Sequence, residues 1–145
     1  MTQPDRAVCI HCNAVNRLPD SKPATEAKCG TCGEPLFSGT PADVTGAALE
    51  KQIARSTVPV VVDVWAPWCG PCRVMAPEYE KAAQATEPRA RFLKLNSDNE
   101  QALSSRLGIR GIPTMLVYRD GKEIARTSGA RPASDIVRWI EEAIG

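Results

Sequence analysis

The sequence predicts an α/β protein: a mixed sheet flanked by helices, with a small cysteine-built module ahead of it. Three observations carry this. From about Thr45 onward, apolar runs of strand type alternate with segments of helical periodicity, a pattern of strands joined through helices and therefore parallel. Near the C-terminus two strand-like runs meet at Asp120-Gly121, which suits a tight type I′ turn and adds an antiparallel edge. Residues 1–37 hold four of the six cysteines and show no periodicity. A segment that short cannot bury a useful core alone, since chains below roughly 40 residues need disulfides, metals or partners.

The length of 145 residues allows one ordinary domain plus an appendage. The predicted division is a module over 1–37, a linker over 38–44 where Gly39 and Pro41 break regular structure, and a domain over 45–145. A net charge of +1 with 24% charged residues gives no long-range field favouring nucleic acid or an anionic membrane, and Lys and Arg are scattered. No apolar window of 18 residues exists, so no membrane span is expected. The opening "MTQPDRAVC" lacks the basic-then-apolar pattern of a secretory signal. The expectation is therefore a cytoplasmic protein. In a reducing compartment, paired cysteines serve more often as metal ligands or redox catalysts than as structural disulfides.

The elements follow in order. "GAALEKQIARS" spaces Leu49 and Ile53 as one helix face. "VPVVVDVWA" is a valine-rich buried strand. "GPCRVMAPEYEKAAQA" reads as a helix with Val74, Met75, Tyr79, Ala82 and Ala83 on one side and a kink at Pro77. "RFLKLNS" is a strand. "DNEQALSSRLG" is a helix with Asp98 as N-cap, Gln101 three residues on, and Gly108 as terminator. "TMLVYRDGKEIART" is the hairpin. "RPASDIVRWIEEAIG" closes with a helix whose apolar stripe is Ile136, Val137, Ile140 and Ile144.

The chemistry concentrates in "VDVWAPWCGPC". Cys69 lies between a strand and the helix that begins near Gly70. A thiol there faces unpaired backbone amides and the positive end of the helix dipole, which favour the thiolate that attacks disulfides. Pro71 fits the first helical turn at no hydrogen-bond cost. Cys72, three residues on, falls on the same helix face and can close a small disulfide ring with Cys69. The spacing makes Cys69 the nucleophile and Cys72 the resolving thiol.

Asp63 sits among Val60, Val61, Val62, Val64 and Trp65, where burial raises a carboxyl pKa. Two readings are open: a proton acceptor for Cys72, or a structural Asp bonded to backbone. Lys94, in "FLKL", is read either as its counter-charge or as a solvated strand-edge lysine.

The upstream pairs, Cys9 with Cys12 and Cys29 with Cys32, are separated by sixteen residues. That spacing suits a tetrahedral zinc site of four cysteines, with iron as the less favoured metal and two disulfides as the competing arrangement. Gly30, Gly33 and Asn13 supply permissive backbone for the two turns. His11 is expected to be an exposed bystander inside the first turn. The expected cofactor is one Zn2+, with no organic cofactor.

Residues from about 45 to 145 resemble thioredoxin. The motifs are "VDVWAPWCGPC", "KLN", "GIRGIPT", the "DGK" hairpin and "SGA", in matching order and spacing, and the whole chain is similar to the bacterial type with an N-terminal zinc module. The resemblance implies a thioredoxin-like fold and a protein-disulfide reductase with a redox-active disulfide Cys69–Cys72, a buried acid at Asp63 and its lysine partner at Lys94. It further implies a cis-proline at Pro113, a backbone at Ile112 that pairs with a substrate strand, and a docking surface of Trp68, Gly70, Pro71, Ile112, Gly129 and Ala130. The implied partners are disulfide-containing proteins and an NADPH-dependent thioredoxin reductase, for a monomer serving electron transport and cell redox homeostasis. The rival function is a zinc-switched redox sensor or oxidation-activated binding protein. The usual first strand is poorly marked in "GTPADVT", so that sheet edge is expected to be stunted.

Overall fold

The computed structural model describes residues 5–145; the first four residues assigned to the module lie outside the described part. The elements are β1 (Arg6–Val8), β2 (Val15–Arg17), β3 (Ala42–Asp43), α1 (Gly46–Arg55), β4 (Val60–Trp65), α2 (Gly70–Thr86), β5 (Arg91–Asn96), α3 (Gln101–Arg106), β6 (Thr114–Arg119), β7 (Lys122–Ser128) and α4 (Ala133–Ile144). β1 and β2 form a small antiparallel ladder of their own. The remaining strands build one sheet in the order β3-β5-β4-β6-β7. β3, β5 and β4 run parallel, and β6 and β7 are antiparallel additions.

The helix-joined strands pair as the alternation requires, and the hairpin closes at Asp120 (φ 53°) and Gly121 (φ 81°), both in the left-handed region a type I′ turn demands. Within the segment read as a linker, Ala42 and Asp43 form a two-residue edge strand against Leu93 and Lys94. This is the stunted edge expected there.

Alternation along β4 divides the core. Val61 faces α2 and α4, in a cluster with Met75, Tyr79, Ala82, Ala83, Phe92, Ile136 and Ile140. Val60, Val62 and Val64 face α1 and α3, with Leu49, Leu93, Leu95 and Leu103. Both faces are covered, which is why the strand reads as an apolar run interrupted only by Asp63 rather than as an alternation. Val74 departs from its predicted place: it is 70% exposed, while its neighbour Met75 takes the inward position.

Asp98 is not the N-cap of α3. That position falls on Glu100, with no side-chain cap. The Glu100 carboxylate instead accepts the Gly46 N–H at the start of α1 (2.8 Å). A Cβ at Gly46 would lie 2.6 Å from Glu100 Oε2, so a larger residue there would displace this carboxylate.

The N-terminal module docks on the end of the sheet where β4 and β5 begin. Leu36, Phe37, Ala7, Cys9, Cys29 and Val58 share a small core. Arg91, 2% exposed, reaches into the module: Nη1 donates to Leu36 O (2.5 Å), Nη2 donates to Val8 O (2.9 Å), and the guanidinium lies 4.3 Å from the Phe37 ring centroid. Val8 O also accepts Gln52 Nε2 (3.0 Å), and Val8 N donates to Ser56 Oγ (3.2 Å). Glu87 completes the seam, accepting from Gly39 N (3.0 Å) and Phe92 N (2.9 Å). No helix among the described residues is long and apolar enough to cross a membrane.

Arg91→Leu leaves Leu36 O without its donor in a buried seam and Val8 O with one donor fewer. We expect it to cost on the order of 3 kcal/mol. Thermal unfolding measures the loss, and limited proteolysis should show residues 5–37 cut before the domain.

Candidate active site and metal centre

Cys69 is the N-cap of α2, with extended backbone (φ −82°, ψ 113°) and a side chain that accepts the Cys72 N–H (3.2 Å). The strand-to-helix junction therefore aims the first turn of α2 at this sulfur, as the sequence predicts. Pro71 occupies that first turn, where its missing N–H leaves no partner unsatisfied. Cys69 and Cys72 are joined by a disulfide. Both are buried, and they cluster with Ala66, Trp65 and Ile112.

Ile112–Pro113 is cis, in agreement with the resemblance, and Glu87–Pro88 is cis as well, which no motif signalled. Cys69 Sγ lies 3.7 Å from Ile112 O, so this main chain borders the disulfide. Trp68 is 68% exposed, and Gly70, Pro71, Gly129 and Ala130 are exposed around it. The Trp68 indole N–H donates to the Asp98 carboxylate (3.0 Å to Oδ1). Here the residue expected to cap α3 fixes an exposed ring beside Cys69 instead. Its spacing from Trp68 spans two elements, so only the tertiary fold brings the pair together.

Asp63 is 1% exposed and lies on the sheet face that α2 covers. Its Oδ1 has no hydrogen-bond partner among the described residues. Burial pushes its carboxyl up to about 7, with Lys94 acting in the opposite sense. Lys94 is Asp63's register partner on β5, but its ammonium sits over the Trp65 ring, 4.3 Å from the centroid. So Lys94 influences Asp63 through space and makes no ion pair with it within 4 Å. The reading of Asp63 as a backbone-bonded structural residue finds no hydrogen bond to rest on.

At the opposite end of the sheet, the ligand sulfurs of Cys9, Cys12, Cys29 and Cys32 all lie within 4.8 Å of one another. Cys9–Cys32 and Cys12–Cys29 stand at 3.7 and 3.6 Å. A tetrahedral Zn–S distance of about 2.3 Å implies sulfurs about 3.8 Å apart, so four thiolates here fit one zinc. Each turn closes by a backbone bond, Asn13 N to Cys9 O (3.0 Å) and Gly33 N to Cys29 O (2.9 Å). Asn13 (φ 64°) and Gly33 (φ 80°) are left-handed, whereas Gly30 is not and owes its place to no backbone demand. Asn16 links the two halves, donating to Cys29 Sγ (3.4 Å) and accepting Gly30 N (2.9 Å). The Cys32 backbone N–H and the Asn16 amide hold the Cys29 thiol down at about 5. His11 is exposed and outside the sulfur cluster.

Comparison with known proteins agrees on both parts. A family model described as "Thioredoxin" matches residues 40–142, and one described as "Thioredoxin 2, N-terminal", a zinc ribbon, matches residues 8–34. Thioredoxin C-3 of Corynebacterium nephridii is 34% identical over 137 residues, covering 94% of each chain. Thioredoxin 1 of Synechococcus elongatus is 37% identical over 101 residues, covering 70% of this chain and 94% of its own. Among solved structures, chloroplastic thioredoxin z superposes with a TM-score of 0.67 at 30% identity, covering 72% of this chain and 95% of that one.

The buried carboxyl has a sign that can be checked. Asp63 binds its proton more tightly folded than unfolded, so the fold loses stability as pH rises from about 4 to about 7, and the deficit is complete above that. Asp63→Asn should therefore raise stability at pH 8 by on the order of 3 kcal/mol and change it little at pH 4, measured by denaturant unfolding at both values.

Proposed function

The chain belongs to the thioredoxin family, and from that membership we propose that this thiol–disulfide oxidoreductase reduces protein disulfides by dithiol exchange through Trp68-Cys69-Gly70-Pro71-Cys72. The observation that supports this most directly is the seat of Cys69, N-cap of α2 with the Cys72 N–H on its sulfur. In the reduced protein the same donors and the helix dipole stabilise a Cys69 thiolate.

That thiolate attacks one sulfur of a substrate disulfide. A Cys69–substrate bond forms, the substrate S–S bond breaks, and one substrate thiolate leaves. Asp63 then accepts the Cys72 proton, consistent with its carboxyl near 7 and its place on the face that α2 covers. Cys72 attacks Cys69 Sγ and expels the second substrate thiolate. Two electrons have passed to the substrate, and the Cys69–Cys72 disulfide is left. An NADPH-dependent flavoprotein, thioredoxin reductase by family analogy, returns two electrons to restore the dithiol. Lys94 tunes Asp63 through space. An extended substrate segment pairs with the Ile112 main chain beside cis-Pro113, while Trp68, Gly70, Pro71, Gly129 and Ala130 present a flat apolar rim. We assign residues 1–37 to a zinc-held module and 45–145, together with the edge strand Ala42–Asp43, to the catalytic domain, with Cys9, Cys12, Cys29 and Cys32 as the metal ligands. Zinc there supplies folding energy to a segment with little core of its own.

Cys69→Ser should abolish insulin-disulfide reduction, and Cys72→Ser should accumulate mixed disulfides visible on non-reducing gels. Full activity in Cys69→Ser would end this reading. Metal analysis should find one zinc per chain. Its removal by a chelator should lower the unfolding temperature while Cys69 keeps its alkylation rate, because the sulfur cluster and the disulfide stand at opposite ends of the sheet.

A further inference from the structure

The loop that carries Ile112 and Pro113 past Cys69 is held at both ends by β7. At the far end, Gly129 N donates to Pro113 O (2.9 Å). Thr114 Oγ1 lies 2.9 Å from Ser128 Oγ and 2.5 Å from Gly111 O. At the near end the hold is a side chain. Arg126 Nη2 donates to Leu107 O (2.6 Å) and Nη1 to Gly108 O (3.2 Å). These carbonyls lie where α3 ends and no longer have helical partners. Gly108, with φ 71°, is where the chain turns out of the helix. Glu123 locks the guanidinium as a fork, accepting Nε at 2.9 Å and Nη2 at 2.7 Å. Between the two holds, Arg110 and Gly111 are exposed.

We propose that the Glu123–Arg126 fork is a positioning device for protein substrates: it sets where the loop leaves α3, and so where the Ile112 main chain stands beside Cys69. This rests on the reading that an extended substrate pairs with that main chain. Arg126 touches neither the cysteines nor the substrate path. Its own ion pair is about one-third exposed (34% and 36%), so the pair adds little to global stability. Its two carbonyl acceptors, with the Ile109 N–H bonded to Ser104 O (3.0 Å), fix where the span leaves α3. Losing them leaves the near end on the Ile109 amide alone, with more freedom, while Gly129 still grips the far end. A small disulfide needs only to reach Cys69 Sγ and does not use the loop, whereas a peptide needs both.

The test is steady-state reduction of insulin and of a small aromatic disulfide, 5,5′-dithiobis(2-nitrobenzoate), by the full zinc-loaded chain. Arg126→Ala should raise the KM for insulin roughly tenfold with little change in kcat, because misplacement of a binding element acts on the docked complex. Its rate with the small disulfide and the alkylation rate of Cys69 should stay within about twofold. Arg126→Lys should recover part of the KM, Glu123→Gln should show a smaller rise, and hydrogen exchange at the Ile109–Ile112 amides should quicken in Arg126→Ala. An unchanged insulin KM, or equal losses on both substrates, overturns the role of the fork. Failure of the unmodified chain to reduce either substrate overturns instead the functional reading beneath it.

Discussion

Strand β4 is the constraint on which the rest of the molecule depends. It is paired on both sides and covered on both faces, and its residues from Val60 to Val64 are all buried. A slip of one residue would exchange the two faces entirely, placing valines where Asp63 lies and the carboxylate among leucines. With that register fixed, everything at either end follows. Where the strand finishes, the chain turns into α2 and leaves Cys69 at the helix entrance. Where it starts, Val58 lies in the core of the cysteine module.

The two ends use opposite chemistry for sulfur. At the helix entrance one backbone amide and a dipole stand by a sulfur whose bond must be exchanged. In the module, backbone and Asn16 donors surround sulfurs arranged to be shared by a metal. Four sulfurs within 4.8 Å of one another have the donor set of a four-cysteine zinc site. The sheet stands between the two groups of sulfurs.

Much of this was legible in the sequence, for local reasons. The strand–Cys–Gly–Pro–Cys–helix succession defines a helix entrance without tertiary information, and paired cysteines at zinc spacing announce themselves by count. The order of elements and the Asp120-Gly121 turn were equally local. What stayed hidden was long-range. Asp98 has the residue type of a cap, and only the fold shows that it meets Trp68. Val74 fits an apolar stripe as well as Met75 does, and only packing against α4 decides between them. Lys94 lies in register with Asp63, yet the Trp65 ring holds its ammonium. Arg91 opens a strand in a pattern that suggests a solvated charge, and nothing nearby in sequence hints that Val8 and Leu36 wait for it.

That arginine has a consequence for how such a chain can be shortened or recombined. Cutting away the first 37 residues would leave a cation at the base of the sheet whose two carbonyl partners and aromatic lid had all gone with the excised piece. A free-standing domain would leave this guanidinium to water and Glu87, and a grafted module would need it supplied. The appendage and its host are thus matched parts.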